Sequence, residues 1–220
     1  MRALWVMALL LLTVGPVGKG WAEDVNGTKT LLTITRRDLA TILPPDCRIL
    51  ITPSSIEQFL DALDGIPPDW GVVYGHGHHD PEHNERLFAL NRERDAKREG
   101  KDALQWTVVF LWSGELSRYE PTIGGFSIAM GPIFTPTRWG LVRFKAEDLP
   151  GNLFAIPESS QLDSLRQQVE AGQTIDIEIA MMGRLIPEES LVYDFSHEEE
   201  GRGLIMPVVR IERVEYLLAR

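Results

Sequence analysis

Four of the five histidines lie close together in the sequence, and this cluster is the first feature that could do chemistry. Asp80 lies among them, and Gly77 permits the tight turn that convergence on one ion would need. Imidazole nitrogens and carboxylate oxygens are ligands for zinc, copper and nickel in proteins. The segment therefore predicts a metal site, with a divalent transition metal such as zinc as the candidate cofactor. Its predicted ligands are His76, His78, His79, Asp80 and His83.

The same residues also fit a purely structural interpretation. Asp80 is a good N-cap and Pro81 suits the first position of a helix. A cation is disfavoured at the positive end of a helix dipole, although Glu82 and Glu85 offset part of this effect. The alternative to a metal site is a solvated polar loop whose histidines bond to backbone.

The run His76-Gly77-His78-His79-Asp80 resembles the His-x-His-x-Asp-His signature of the metallo-β-lactamase superfamily. That resemblance implies a hydrolase in which bound zinc activates water. Pro81 stands where the last histidine of the signature belongs, and only His197 lies further downstream than His83. The remaining ligands of that family have no source here, so the resemblance is confined to one loop.

Other catalytic patterns are not evident. Cys47, the only cysteine, follows Pro-Pro-Asp and precedes an apolar run, so we expect a buried small residue and no internal disulfide. The segment Ser113-Gly114-Glu115 is not a nucleophile elbow. The glycines match no phosphate-binding pattern.

The first residues have the features of a secretory signal peptide. Arg2 precedes an apolar run from Ala3 to Val14, and Gly20-Trp21-Ala22 provides small residues at the two positions that a signal peptidase inspects. The run is shorter than the roughly 20 residues that a membrane span needs. We expect cleavage after Ala22, a mature chain without a membrane span, and a periplasmic or secreted location.

The charge balance bears on the partners. The signal segment 1–22 contains two basic residues and no acidic ones, so its removal takes the formal charge from −10 to −12. A polyanion would be repelled, which disfavours nucleic acid. The expected partner is a periplasmic protein or a small ligand.

Residues 23–100 are predicted to form an α/β segment that ends in a charged helix. Its elements are strands at 30–35 and 48–52, a short helix at 37–43, a helix that begins at a Ser54–Glu57 capping box and ends at Gly65, and a brief apolar run at 71–74. A longer helix is expected from Pro81 to Glu99. Its second half is charged throughout, which predicts a solvated connector to a second domain at 101–220.

The second domain is organised around the strand-like run from Gln105 to Tyr119. Before Gly114 both alternating faces are apolar, so we expect this half to be covered on both sides. After Gly114 only Leu116 keeps the inner face, so the second half should touch water. A glycine within a long strand allows the local twist by which a strand coils around a barrel.

The order of elements after this strand suggests a specific barrel. Two further strands are predicted at 126–130 and 139–145, the latter with 153–156 as a candidate continuation; a helix follows Pro157, and two more strands lie at 174–183 and 208–217. Three strands, a helix and two strands resemble the OB-fold, a five-stranded β-barrel. The predicted class is therefore α+β, with an OB-like barrel following the N-terminal segment.

In OB-folds the loop between the last two strands often lines the binding face. Here that connection is long, from Leu185 to Pro207, and carries Tyr193, Phe195 and His197, which we predict to be ligand-binding residues. Two hypotheses follow. The first is a non-enzymatic exported binding or assembly module. The second is a metal-binding protein or metal-dependent hydrolase that uses the histidine cluster.

Overall fold

The structure is a computed structural model that describes residues 27–34, 36, 38–76, 80–189, 191–197 and 201–218. The predicted signal peptide lies outside the described residues. The helices are α1 Leu39–Ile42, α2 Pro53–Asp64, α3 Trp70–Tyr74, α4 His83–Arg98 and α5 Ser159–Glu170. The strands are β1 Thr28–Leu32, β2 Arg48–Ile49, β3 Thr107–Glu120, β4 Gly125–Pro132, β5 Thr135–Thr137, β6 Gly140–Val142, β7 Lys145–Glu147, β8 Phe154–Ile156, β9 Asp176–Leu185, β10 Leu191–Phe195 and β11 Gly203–Leu218.

Six strands close into a barrel in the order β1, β8, β4, β3, β9 and β11, with β11 pairing back onto β1. The α+β class and the closed barrel are therefore confirmed, and the barrel is compatible with an OB-like fold. It has six strands where five were predicted, and the predicted strand at 139–145 is β6, outside the barrel, whereas its continuation at 153–156 is the barrel strand β8. The additional strand is β1, which lies parallel to both β8 and β11 and joins them. A strand of the segment before residue 100 is thus part of the barrel wall.

Strand β3 has the two halves that its sequence predicts. Val108 and Phe110 are buried in the barrel core, and Val109 and Leu111 are buried on the opposite face. Beyond Gly114, only Leu116 keeps a buried position among exposed neighbours. The outer face of the first half needs a cover, because an apolar sheet face in water is unfavourable.

That cover comes from the N-terminal segment. Leu39 of α1 and Leu43 pack against Val109, Met182 and Leu217 on the outside of the barrel, forming a second core. The short strand β2 also pairs with the start of β3. Residues 38–51 therefore wrap one face of the barrel and bury it.

Strand β11 belongs to two sheets. Its first residues pair with β10 and β6, and β6 pairs with β5; its later residues pair with β9 and β1 in the barrel. The predicted long loop from 185 to 207 is therefore wrong as a loop, because most of it forms the β10–β11 hairpin. The residues of β10 alternate between buried and half-buried positions, and the first residues of β11 form an almost continuous buried apolar run; both patterns are typical of strands.

Helices α2, α3 and α4 form a layer on this small sheet. The indole of Trp70 in α3 lies directly on Gly203, where an added Cβ would be 1.8 Å from Cε2 of the ring. Its Nε1–H donates to the carbonyl of Trp139 at 2.7 Å. Only glycine at position 203 permits this approach. The run 71–74 is thus part of a helix, which Asp69 begins by accepting the N–H of Val72.

Two other predictions about helices are corrected. The N-cap of α2 is Thr52, which forms a capping box with Ser55, and not Ser54 with Glu57. The second half of α4 is not a solvated connector, because Arg94 and Arg98 are buried in contact with α2 and β10. Among the described residues, no helix is long and apolar enough to cross a membrane.

Candidate functional site

The predicted ligand-binding residues of the β10–β11 hairpin have different surroundings. Tyr193 and Phe195 are buried, whereas His197 lies exposed in the turn between the two strands. The Phe195 ring contacts the rings of Tyr74 and His83, with centroids 4.5 and 5.0 Å apart. Both aromatic side chains of β10 thus pack against the helical layer.

The Tyr193 hydroxyl belongs to a buried polar network. It donates to the Asp64 carboxylate, which also accepts from Nη1 of Arg98 at 2.9 Å. Burial, followed by the Asp64 charge, raises the pKa of Tyr193 well above its ordinary value, so this hydroxyl remains a donor. Arg98 also donates to the carbonyl of Leu191 at 3.1 Å. These contacts fix α4 to both α2 and β10.

Asn91 also holds α4 against β10. Its side-chain amide donates to the carbonyl of Tyr193 and accepts the Tyr193 N–H, both at 2.9 Å. The amide therefore replaces a neighbouring strand at the outer edge of β10. Because an unpaired strand edge promotes association with other chains, α4 protects this edge.

The predicted metal ligands Asp80 and His83 make structural hydrogen bonds. Asp80 accepts from Nη2 of Arg86 at 2.7 Å and from the backbone N–H groups of His76 and Glu82. These bonds, the one from Arg86 foremost, hold the pKa of Asp80 well below its ordinary value. Nδ1 of His83 lies 2.6 Å from the Asp80 carbonyl oxygen.

Arg86 links the end of α3 to the start of α4. It donates to the carbonyls of Val73 and Tyr74 at the end of α3, and its bond to Asp80 joins that end to the start of α4. The described residues contain no group of three or more histidine, cysteine or acidic side chains that could hold a metal ion. His78 and His79 lie outside the described residues, so the metal site stays a prediction.

A charged cleft lies elsewhere, on the outer face of the barrel. Its volume is about 470 Å³, within the range of small-molecule sites. It lies where the loop after α1 faces strands β1, β3, β9 and β11. The lining residues are Lys29, Pro44, Pro45, Asp46, Thr107, Met182, Arg184, Glu212, Arg213 and Glu215. We refer to this set as the outer cleft.

A β-bulge in β11 creates the floor of the outer cleft. The register with β9 shifts between Ile211, opposite Gly183, and Arg213, opposite Met182, so that Glu212 is the extra residue. Without the bulge, alternation would place position 213 on the inner face with Ile211. With it, the apolar side chains at 214 and 216 enter the barrel core instead. Arg213 and Glu215 consequently point outwards into the cleft.

The backbone opposite the bulge is unusually close. A Cβ on Gly183 would lie 2.0 Å from the carbonyl oxygen of Arg210, so only glycine fits at this position. β-bulges commonly occur beside binding and active sites, where they redirect side chains. The glycine and the bulge together give this strand pair its outward-facing charges.

Ion pairs occupy two levels of the outer cleft. At the floor, Nε of Arg213 lies 2.7 Å from Oε1 of Glu215, and the Glu215 side chain is only 11% exposed. Nearer the rim, Nε of Arg184 lies 3.5 Å from Oε1 of Glu212, and both side chains are more exposed. Arg213 also donates to the carbonyl of Ile42 at 3.4 Å. The Arg213–Glu215 pair, here called the floor pair, is therefore held in place. The Arg184–Glu212 pair, here called the rim pair, is weak.

Cys47 lies beside the outer cleft but lines a separate one with Trp106 and Arg48. Burial, and then the neighbouring Asp46 charge, raises the pKa of its half-buried thiol. The thiolate, which is the nucleophilic form, is therefore disfavoured. The guanidinium of Arg48 covers the Trp106 ring at 4.8 Å and adds a structural contact there.

None of the residues of the outer cleft was predicted from the sequence as a site. One signal was present: the apolar positions of β11 are odd at Val209 and Ile211, then even at Val214 and Tyr216. Such a change of phase within one strand indicates a bulge. The contribution of the loop at 44–46 has no comparable signal.

Comparison of the chain with protein-family models, curated proteins and solved structures gives no significant match.

Proposed function

We propose that this protein is an exported, non-enzymatic binding module that takes a small ligand into the outer cleft of an OB-like barrel. The observation that carries the proposal is the bulge at Glu212, which turns Arg213 and Glu215 from the barrel core to a cleft of about 470 Å³. A mostly buried ion pair costs more than apolar packing of the same volume, so its presence at the base of a cleft favours a role in binding. In an OB-like barrel of this kind, β1 is a sixth strand in addition to the five of the OB-fold.

The barrel interior supports an external site. Phe110 and Phe144 stack inside it with centroids 4.5 Å apart, and Val108, Phe126 and Ile179 are fully buried there. Side chains fill a small barrel in this way and leave its outer surface for recognition.

A ligand screen tests the proposal. The full chain is screened against a library of small metabolites by thermal shift, beside Thr107→Trp, which places an indole in the outer cleft. The matched control is Thr122→Trp, at an exposed position between β3 and β4 outside the cleft lining. We expect compounds that stabilise the wild type and the control but not Thr107→Trp. Equal shifts in all three proteins, or no shift from any compound, would refute a ligand site in the outer cleft.

The export part of the proposal has its own test. The full chain is expressed in a Gram-negative host, and the periplasmic fraction is measured by intact mass. We expect a chain that begins at Glu23 and contains 198 residues, since removal of 22 of the 220 residues leaves that number. A cytoplasmic product that retains residues 1–22 would contradict the export proposal without affecting the ligand site.

A further inference from the structure

We infer that the ligand of the outer cleft is a small zwitterion, with an ammonium and a carboxylate group, of the size of an amino acid or short peptide. This inference rests on the proposed function and specifies the chemical class of the ligand. It starts from the charge balance of the lining. Lys29, Arg184 and Arg213 face Asp46, Glu212 and Glu215, so the cleft has three groups of each sign and no net charge.

The floor pair limits which ligands can enter. Arg213 and Glu215 are 28% and 11% exposed, and their 2.7 Å contact satisfies both charges. A simple anion that took Arg213 would leave the Glu215 carboxylate mostly buried and unpaired, and a simple cation at Glu215 would do the same to Arg213. Leaving one member of such a pair without its partner is strongly unfavourable. Ligands with a single charge are therefore poor fits for the floor.

The rim pair can be replaced without that penalty. Arg184 and Glu212 are 60% and 36% exposed and lie 3.5 Å apart, which is a weak, solvated ion pair. A ligand carboxylate can form two parallel hydrogen bonds with a guanidinium, here that of Arg184. An ammonium group on the same ligand can then take Glu212 or Asp46. When the ammonium takes Glu212, both members of the rim pair keep a partner of opposite charge in the complex.

The uncharged lining accommodates the rest of the ligand. Pro44, Pro45 and Met182 supply apolar contacts, and Thr107 supplies a hydroxyl that can donate or accept. An aliphatic group between the two prolines and the methionine would lose its contact with water, which favours binding. An amino acid with an aliphatic side chain combines all these features.

Matched probes test the inference. The full chain is titrated by calorimetry with the twenty common L-amino acids and the dipeptide Gly-Leu. Each compound that binds is compared with its amine and its carboxylic acid analogue, such as 3-methylbutylamine and 4-methylpentanoate for L-leucine. We expect the zwitterion to bind at least about tenfold more tightly than either analogue, because each analogue lacks one charge-assisted hydrogen-bond partner.

A pair of variants locates the effect. Arg184→Gln should weaken binding of the zwitterion at least about fivefold and leave binding of the amine analogue nearly unchanged. The control is Arg166→Gln, an exposed arginine on α5 that pairs with Glu170 outside the outer cleft, and it should bind like the wild type. These two variants distinguish a carboxylate contact from a general loss of charge.

Failure of the inference and failure of the proposed function give different results. If no amino acid or dipeptide binds, or if an analogue with one charge binds as tightly, the zwitterion is refuted. The proposed function would still stand if a library compound of another class bound the wild type and not Thr107→Trp. If Arg184→Gln binds the zwitterion as tightly as the wild type, the carboxylate contact is wrong.

Discussion

At the scale of single residues, the buried charges of α4 decide how the helical layer is held. Arg98 and Asp64 are 2% and 0% exposed, and Tyr193 and Leu191 complete their hydrogen bonds. Charged side chains are rarely buried unless they are paired. The many charged residues in the second half of α4 therefore predict a solvated helix. The partners of Arg98 on α2 and β10 lie far from it in the sequence, which is why the sequence does not show the pairing.

Replacement of Asp64 tests this network. We expect Asp64→Ala to lower the free energy of unfolding by about 3 to 5 kcal/mol, because Arg98 loses its only fully buried carboxylate partner among the described residues. Guanidinium titration followed by circular dichroism measures the change. The control is Lys97→Ala on the same helix, whose exposed pair with Glu93 should contribute less than about 1 kcal/mol. Equal effects of the two substitutions would show that the network does not hold the layer.

Asp80 provides a pH test of the histidine loop. Its pKa is lowered in the folded state by Arg86 and by two backbone N–H groups. The carboxylate therefore stabilises the fold above the unfolded pKa of about 3.9, and this contribution is lost as the pH falls through the lower folded pKa. We expect Asp80→Asn to be less stable than the wild type at neutral pH, with the difference shrinking below about pH 4. A difference that is constant with pH would contradict the assigned role of the Asp80 carboxylate.

At the scale of elements, the strands show which patterns can be predicted locally. The two halves of β3 follow from its alternation around Gly114, and both are confirmed. The sequence predicts a long loop from Leu185 to Pro207, where the structure has the five-residue strand β10 paired with β11. The run 71–74 is too short for its pattern to distinguish a strand from a helix. Only its packing on Gly203 settles it as α3.

The bulge in β11 gives a prediction at this scale. Deletion of Glu212 should remove the bulge and give continuous alternation, with Ile211, Val214 and Tyr216 facing the barrel core and Arg213 and Glu215 facing outwards. We expect the deletion variant to keep cooperative thermal unfolding, because its core residues stay inward and its pairs with β9 stay in register. Glu212→Ala keeps the residue count and should change the free energy of unfolding by less than about 0.5 kcal/mol. A deletion variant that loses its cooperative transition would contradict the assignment of Glu212 as the extra residue of the bulge.

At the scale of the whole molecule, the chain closes its barrel with its first described strand. β1 pairs with β8 and β11, which follow it by more than a hundred residues. A sequence pattern can identify a strand at this position but not its partners, because pairing at such a distance leaves no local signal. The outer cleft also depends on contacts between distant parts of the chain. Its wall at 44–46 and its floor on β11 are far apart in the sequence and come together only in the folded protein.

A truncated chain tests the role of β1. Residues 101–220 alone would lack this strand and the apolar cover of β3, so Val109 and Leu111 would face water. We expect this fragment to show no cooperative unfolding transition, whereas the chain that begins at Glu23 unfolds in one. Calorimetry compares the two. A fragment that unfolds cooperatively would show that residues 101–220 are a domain by themselves, as the sequence predicts.

The outer cleft as a ligand site is the central claim, and amide chemical-shift mapping tests it most directly. The ¹⁵N-labelled full chain is titrated with the tightest compound from the library screen. The account predicts shifts concentrated at Lys29, Asp46, Thr107, Arg184, Arg213 and Glu215, with the β10–β11 hairpin and α4 unchanged. Shifts concentrated at Tyr193, Phe195 and His197, or in the histidine loop, would contradict it.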